Sequence, residues 1–273
     1  GKGFRAFFRQ EDVDFISKRP QVFSSALASA FINDPPEEQL PMLRTMILNM
    51  DPPEHIKYRR IVRNAFTPSK VESYEARFRA VVREAVDAVA SGGRCEFVRD
   101  IACVLPVVAI CEILGVPVAD RDRFLAWTNT MLGADDPELS TSETDGQMAA
   151  FELYMYADTV MALHRQNPRD DIVGALLRGT VEGEHLTEDE FRSFMMILIV
   201  AGNETTRTMT SQGMRLLMEH PEQYAALCED PSLIPDAVEE ILRFNPAVIN
   251  FRRTVTEPVE LAGECLEPGE KVV

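Results

Sequence analysis

Cysteine is scarce in this chain and unpatterned. The five, at 95, 103, 111, 228 and 265, form no Cys-x-x-Cys pair and leave one over. That argues against a disulfide framework or a zinc ribbon and suits reduced thiols in a cytoplasm. Histidine is as thin: His55, His164, His185 and His220 stand far apart, so no His-x-x-x-His metal spacing exists. Long apolar runs are missing too. The longest, Phe194 to Gly202, falls well short of the roughly 20 residues of a membrane span, and no charged-then-apolar segment opens the chain. Positive charge is the last shortage. Lys and Arg number 28 against 44 Asp and Glu, giving a formal charge of −16, which argues against a nucleic-acid binder.

What remains is enough for a sizeable core: 273 residues, 45% hydrophobic and 26% charged. Helical periodicity dominates. Ser73 to Ala90 places Phe78, Val81, Val82, Ala85, Val86 and Val89 on one stripe, stopped by Ser91-Gly92-Gly93. A more apolar helix closes at Gly115, and a polar, turn-rich and mobile stretch, Gly133 to Gly146, separates two amphipathic helices, the second from Met148. Thr187 and Glu190 make a capping box for a helix with no breaker before Pro221. At about 1.5 Å per residue that helix spans some 50 Å. Short alternating segments after Pro246 read as strands. The expectation is a mainly α fold with a small β-sheet. "GKGFRAFF" at one end and "EPGEKVV" at the other suggest an internal fragment of a single domain.

Four clusters could carry chemistry. In "ILIVAGNETTRTMTS", Gly202 weakens the long helix and the Thr205 hydroxyl can reach the carbonyl one turn back, favouring a kink and a groove. Glu204 and Thr205 there offer a carboxyl and a hydroxyl suited to relaying protons; a Ser/Thr kink with Glu204 in solvent is the plain alternative. In "MDPPEHIKYRRIVRNAF", Asp51 can cap, with Glu54 completing a box, and His55 and Arg59 lie four apart on one helix face, where they could clamp a carboxylate. Between Glu54 and Lys70 five basic residues meet one acid, and this local reversal of charge suggests an acidic partner. Glu240 and Arg243 make an i, i+3 ion pair, a kind that is mostly solvated. Alternation puts Arg252 and Arg253 on opposite faces of a strand, so one points inward and needs an anion.

In this order and spacing the four clusters resemble the cytochrome P450 family, the haem-thiolate monooxygenases, over the whole chain. "DPPEHIKYRR", "AGNETTR", "EEILR" and "FRRTVTEPVELAG" are the stretches that carry the resemblance. It implies the truncated fold of that family and a haem b (iron protoporphyrin IX) whose propionates pair with His55, Arg59 and Arg253. It implies that Glu204 and Thr205 govern proton delivery to dioxygen, that Ala201 and Gly202 form the kink over the haem, and that Glu240 and Arg243 are a structural pair. Ile197, Val200, Ile249, Phe251 and Leu48 would line the substrate pocket. The family's Phe-x-x-Gly-x-x-x-Cys-x-Gly loop is absent, so no metal ligand is expected in this chain and the axial cysteine is expected downstream of Val273. The fragment alone is expected to be inactive. The acidic character and basic helix around Lys57, Arg60 and Arg63 resemble bacterial members served by an acidic ferredoxin. "MILNMDPPEH" and "WTNTMLGADDPE" are loosely similar to the branch that hydroxylates sterols and terpenoids. The competing expectation is a non-catalytic helical protein of the same fold that binds an apolar ligand.

Overall fold

Helix dominates the computed structural model, as the 3.6-residue periodicity requires, and residues 3–133 and 142–273 are described. The first elements are strand β1 (Phe4–Arg5), helix α1 (Gln10–Ser17) and strand β2 (Phe23–Ser24). A long connection holding the short helix α2 (Leu40–Leu43) leads to α3 (Glu54–Val62). Next come α4 (Pro68–Glu72), α5 (Glu75–Ala90), α6 (Val104–Ile113), α7 (Arg121–Leu132), α8 (Glu143–Gln166) and α9 (Ile172–Arg178). The hairpin of β3 (Thr180–Val181) and β4 (Glu184–His185) precedes α10 (Glu188–Glu219), which is 32 residues long. Helices α11 (Pro221–Glu229) and α12 (Ile234–Phe244) are followed by β5 (Arg253–Val255), β6 (Val259–Leu261), β7 (Glu264–Leu266) and β8 (Lys271–Val272).

The chain divides into two units, the first made of 1–64, 176–194 and 249–273, the second of 65–175 and 195–248. In the first unit the sheet order is β1-β8-β5-β2, with β1 parallel to β8 and the other pairs antiparallel. Phe23, Val255, Leu266 and Val272, each no more than 1% exposed, form its apolar layer with Ile16, Val22 and Leu261. Alternation along β5 sends Val255 into this layer. In the second unit α7 packs on α8. Phe124 meets Tyr156 edge-to-face at 5.2 Å, while the Trp127 Nε1–H donates to Glu152 and the Tyr156 hydroxyl to Asp120, both at 2.7 Å. Each buried aromatic thereby has its polar atom satisfied.

Local signals explain most helix ends. Thr187 and Glu190 exchange the expected capping-box bonds at 2.7 Å and 3.3 Å, and α10 continues unbroken to Glu219. No widened turn interrupts it at Gly202. Of the polar stretch 133–146, residues 134–141 lie outside those described. Ser142 and Asp145 close a second capping box, so α8 begins at Glu143, five residues before Met148. Asp51 does not cap α3. Its carboxylate accepts instead from Ser24 Oγ, from Ser25 N at 2.8 Å and from Ala26 N at 3.3 Å, tying β2 to the start of α3. Along α5 the buried stripe is narrower than its apolar pattern: Val81 and Ala85 are buried, Val82 and Val86 exposed.

Candidate functional site

The middle of α10 presents two chemically different faces. Met195, Ile199 and Asn203 are buried on one side, and a Cβ on Gly202 would come within 3.2 Å of Ile110 Cδ1. Gly202 therefore serves a close approach of α6 to α10. On the other side, Ile197, Ala201 and Thr205 follow at four-residue steps, with Val200 and Glu204 beside them. Ala201 is exposed and the other four are half-buried. The Thr205 hydroxyl donates to the Ala201 carbonyl at 2.7 Å, the back-bond its position predicts. One oxygen of Glu204 accepts from Arg207, which also donates to Asn129 Oδ1 at 2.6 Å. The other, Oε2, is buried without a partner. Next to it, Asn203 donates to Thr128 Oγ1 at 2.8 Å. An apolar surface thus ends in a hydroxyl and a carboxyl group, the latter held by one oxygen with the second free to take a proton or a bond.

The first unit gathers positive charge. His55 and Arg59 share a face of α3, one half-buried and the other exposed. Burial pushes the His55 imidazole below its ordinary range, the charges of Arg59 and Arg253 push it the same way, and Asp51 partly opposes them. Arg253 is half-buried; its NH1 donates to the Arg252 carbonyl at 2.9 Å, and desolvation weakens its hold on its proton. Among the described residues no carboxylate pairs with Arg59 or Arg253. Arg252 differs. It is 3% exposed and bound to Asp34 at 2.8 Å. Alternation left open which arginine turns inward for an anion: Arg252 is ion-paired within the chain through NH1, its Nε being buried without a partner, and Arg253 has only a main-chain acceptor among the described residues.

The remaining sequence candidates separate clearly. Lys57 is held between Glu54 and Glu182, at 2.7 Å from each, whereas Arg60 and Arg63 are exposed with no ion pair among the described residues. Glu240 and Arg243 form a two-bond fork at 2.6 Å on the surface of α12, their side chains 60% and 68% exposed. Ile249 is 86% and Phe251 43% exposed, and Leu48 is half-buried. The sequence reading passed over Arg207, Asn129 and Asp34. Arg207 carried a signal, since Glu204 and Arg207 have the same i, i+3 spacing as Glu240 and Arg243.

Comparison with known proteins gives the family. The family profile described as Cytochrome P450 matches residues 152–273. The steroid C26-monooxygenase of Rhodococcus jostii (strain RHA1) is 37% identical over 99% of this chain and 57% of its own length. Among solved structures, substrate-free CYP109E1 from Bacillus megaterium superposes with a TM-score of 0.86 at 31% identity, covering 98% of this chain and 69% of that one. The chain belongs to the cytochrome P450 family. Other members are comparably near. The methyl-branched lipid omega-hydroxylase of Mycobacterium tuberculosis (strain ATCC 25618 / H37Rv) is 36% identical over 64% of its length. Mycobacterium marinum cytochrome P450 CYP268A2, in complex with pseudoionone, gives a TM-score of 0.91 at 32% identity. The chain spans 57% to 64% of the length of these curated relatives.

Membership in the cytochrome P450 family implies haem, and the first unit fits it. A half-buried guanidinium with only a main-chain acceptor, beside a second arginine and a histidine, suits carboxylates of an external anion. Among the described residues, no three His, Cys, Asp or Glu side chains come together as a metal site, and no helix is long and apolar enough to cross a membrane.

Proposed function

We propose that the chain is part of one cytochrome P450 domain of a haem-dependent monooxygenase that inserts one oxygen atom from dioxygen into an apolar C–H bond. The observation that carries this is Arg253, a half-buried cation with no anion of its own, next to His55 and Arg59. These three would hold the propionates of haem b. The haem, when bound, supplies the redox chemistry that activates dioxygen. Its thiolate ligand would come from outside these 273 residues. Within them, Thr205 presents a hydroxyl and Glu204 an unpartnered carboxylate oxygen, one to hold and one to replenish a proton. In the second unit Ile197, Val200 and Ala201 would be apolar substrate contacts on α10; in the first unit Leu48, Ile249 and Phe251 are the residues proposed for the same role.

The names of the relatives, steroid C26-monooxygenase and methyl-branched lipid omega-hydroxylase, support a sterol-like or branched aliphatic substrate. Electrons would arrive in the cytoplasm from an acidic ferredoxin that docks on Arg60 and Arg63, with Lys57 contributing less because two carboxylates already hold it. The decisive experiment follows haem loss to an excess of apomyoglobin from the full-length protein. His55→Ala with Arg59→Ala, and separately Arg253→Gln, should each release haem faster than wild type. Equal rates in all three would remove the haem assignment.

A further inference from the structure

Strands β5 and β8 pair antiparallel with Thr254 opposite Lys271, and Arg252 lies just before β5. Arg252 and Lys271 are 3% and 8% exposed, yet they share one carboxylate. Arg252 NH1 donates to Asp34 Oδ1 at 2.8 Å and Lys271 Nζ to Asp34 Oδ2 at 2.6 Å. The same two side chains reach the carbonyls of Asn33, at 3.4 Å, and Ile32, at 3.3 Å. Arg252 N adds a main-chain bond to Ala30 O at 2.8 Å. Two buried cations on one carboxylate cannot release it without being left unpaired, so this contact is costly to open. Lys271 and then Arg252 hold Asp34 more acidic than an ordinary carboxyl.

What the contact fastens is an exposed excursion. Asn49, fully buried, accepts from Ala30 N at 2.9 Å and donates to Leu43 O at 3.0 Å. Arg44 binds the carbonyls of Ala26 and Leu27. Residues 24–30 and 43–51 are thereby stapled to one another. Between them, 33–42 is almost wholly exposed, and among the described residues Asp34 supplies the side-chain tie from this stretch to the strands. The strand end it grips carries Phe251 and Ile249, while Leu48 lies within the stapled residues 43–51, next to Asn49.

We propose that Asp34 is a positioning residue that determines substrate specificity: clamped by Arg252 and Lys271, it sets the place of 33–42 and so the apolar wall offered with Leu48 and Phe251. This rests on the monooxygenase reading for what the wall receives, and on the Asp34 geometry alone for the clamp. Two measurements on the full-length holoprotein test the two parts. In Asp34→Asn, amide hydrogen exchange in 35–42 should quicken roughly tenfold, the scale of one lost charge-assisted bond, while exchange in β5 and α3 stays at the wild-type rate. Asp34→Glu should recover much of the protection. Asp34→Asn with Lys271→Met, which removes one buried cation, should keep the sheet folded and show the same gain. Unchanged exchange in 35–42 in both variants overturns the clamp. The ratio of KM for cholesterol to KM for a methyl-branched fatty acid should change several-fold in Asp34→Asn, with kcat and haem content nearly unchanged. Faster exchange with an unchanged ratio overturns the specificity role. Wild-type protein that oxidises neither probe sinks the substrate class instead, and the exchange result still decides the clamp.

Discussion

His55 is a half-buried imidazole acted on by Arg59, Asp51 and Arg253, and burial with the two arginines outweighs Asp51, which sets the sign of its titration. Its folded value lies below the ordinary 6.5. Between that depressed value and 6.5 the unfolded chain binds more protons than the folded one, so this residue's contribution to stability rises with pH there. A bound dicarboxylate reverses the sign. Opposite charge favours imidazolium, so anion binding takes up a proton at His55 and weakens as pH rises. Haem dissociation should therefore accelerate as pH rises through the titration of His55 in wild type, with the slope lost in His55→Ala; Arg59 and Arg253 stay charged throughout and add no slope. A pH-independent dissociation rate in wild type would remove His55 from the site.

Thr205 makes a second prediction at this scale. Its hydroxyl is engaged by Ala201 O, a bond that α10 does not need for its own ladder. Thr205→Ala should leave haem content unchanged and alter helix stability by only about 0.5 kcal/mol, in favour of alanine. The share of reducing equivalents ending as peroxide should rise in Thr205→Ala and Thr205→Val but not in Thr205→Ser. Oxygen-consumption stoichiometry reads this directly, and full coupling in the valine variant would deny the hydroxyl a proton role.

Among the elements, α12 is positioned by one close approach. A Cβ on Gly213 would lie 3.1 Å from Ile241 Cδ1 and 3.3 Å from its Cγ2, so the missing side chain on α10 is what seats the helix bearing Glu240 and Arg243. Alanine at 213 gains helix propensity of about 1 kcal/mol but overpacks the contact by about 1–3 kcal/mol. Gly213→Ala should lower the midpoint of thermal unfolding. Ile241→Ala in the same chain should lessen the loss, because both crowding atoms are gone; strictly additive effects would show that the two do not meet. These elements also show how far sequence reading reaches. The span of α10 was legible because a capping box opens it and Pro221 follows it. Asp51 was not, since the local rule that makes it a cap is overridden by three donors at β2, far off in sequence. The start of α8 had a readable Ser142-x-x-Asp145 signal, hidden within a polar run. Arg253 was half legible: alternation gives two faces, and only the fold shows that Asp34, more than two hundred residues away, already pairs with Arg252.

Across these 273 residues, the formal charge of −16 would repel an acidic electron donor of the kind proposed, so its docking would depend on where that charge is locally reversed. On α3 and the residues after it, Arg60 and Arg63 are exposed and unpaired among the described residues. Lys57 spends its charge on Glu54 and Glu182, which raise its affinity for its proton. Counting charges along the sequence treats the three as equal; the structure ranks them. Reduction of the full-length holoprotein by an acidic ferredoxin should therefore slow in Arg60→Gln with Arg63→Gln by roughly tenfold at low salt, as lost steering does. Lys57→Gln should slow it less, because it removes one positive charge against two, and that charge is already turned toward Glu54 and Glu182 rather than toward a donor. Raising the salt from about 0.1 M to 1 M shortens the screening length from about 10 Å to about 3 Å, so the variants should converge on the wild-type rate. Stopped-flow reduction at both ionic strengths decides it: a Lys57 effect equal to that of the arginine pair, or a gap that persists in high salt, would place the donor on another face.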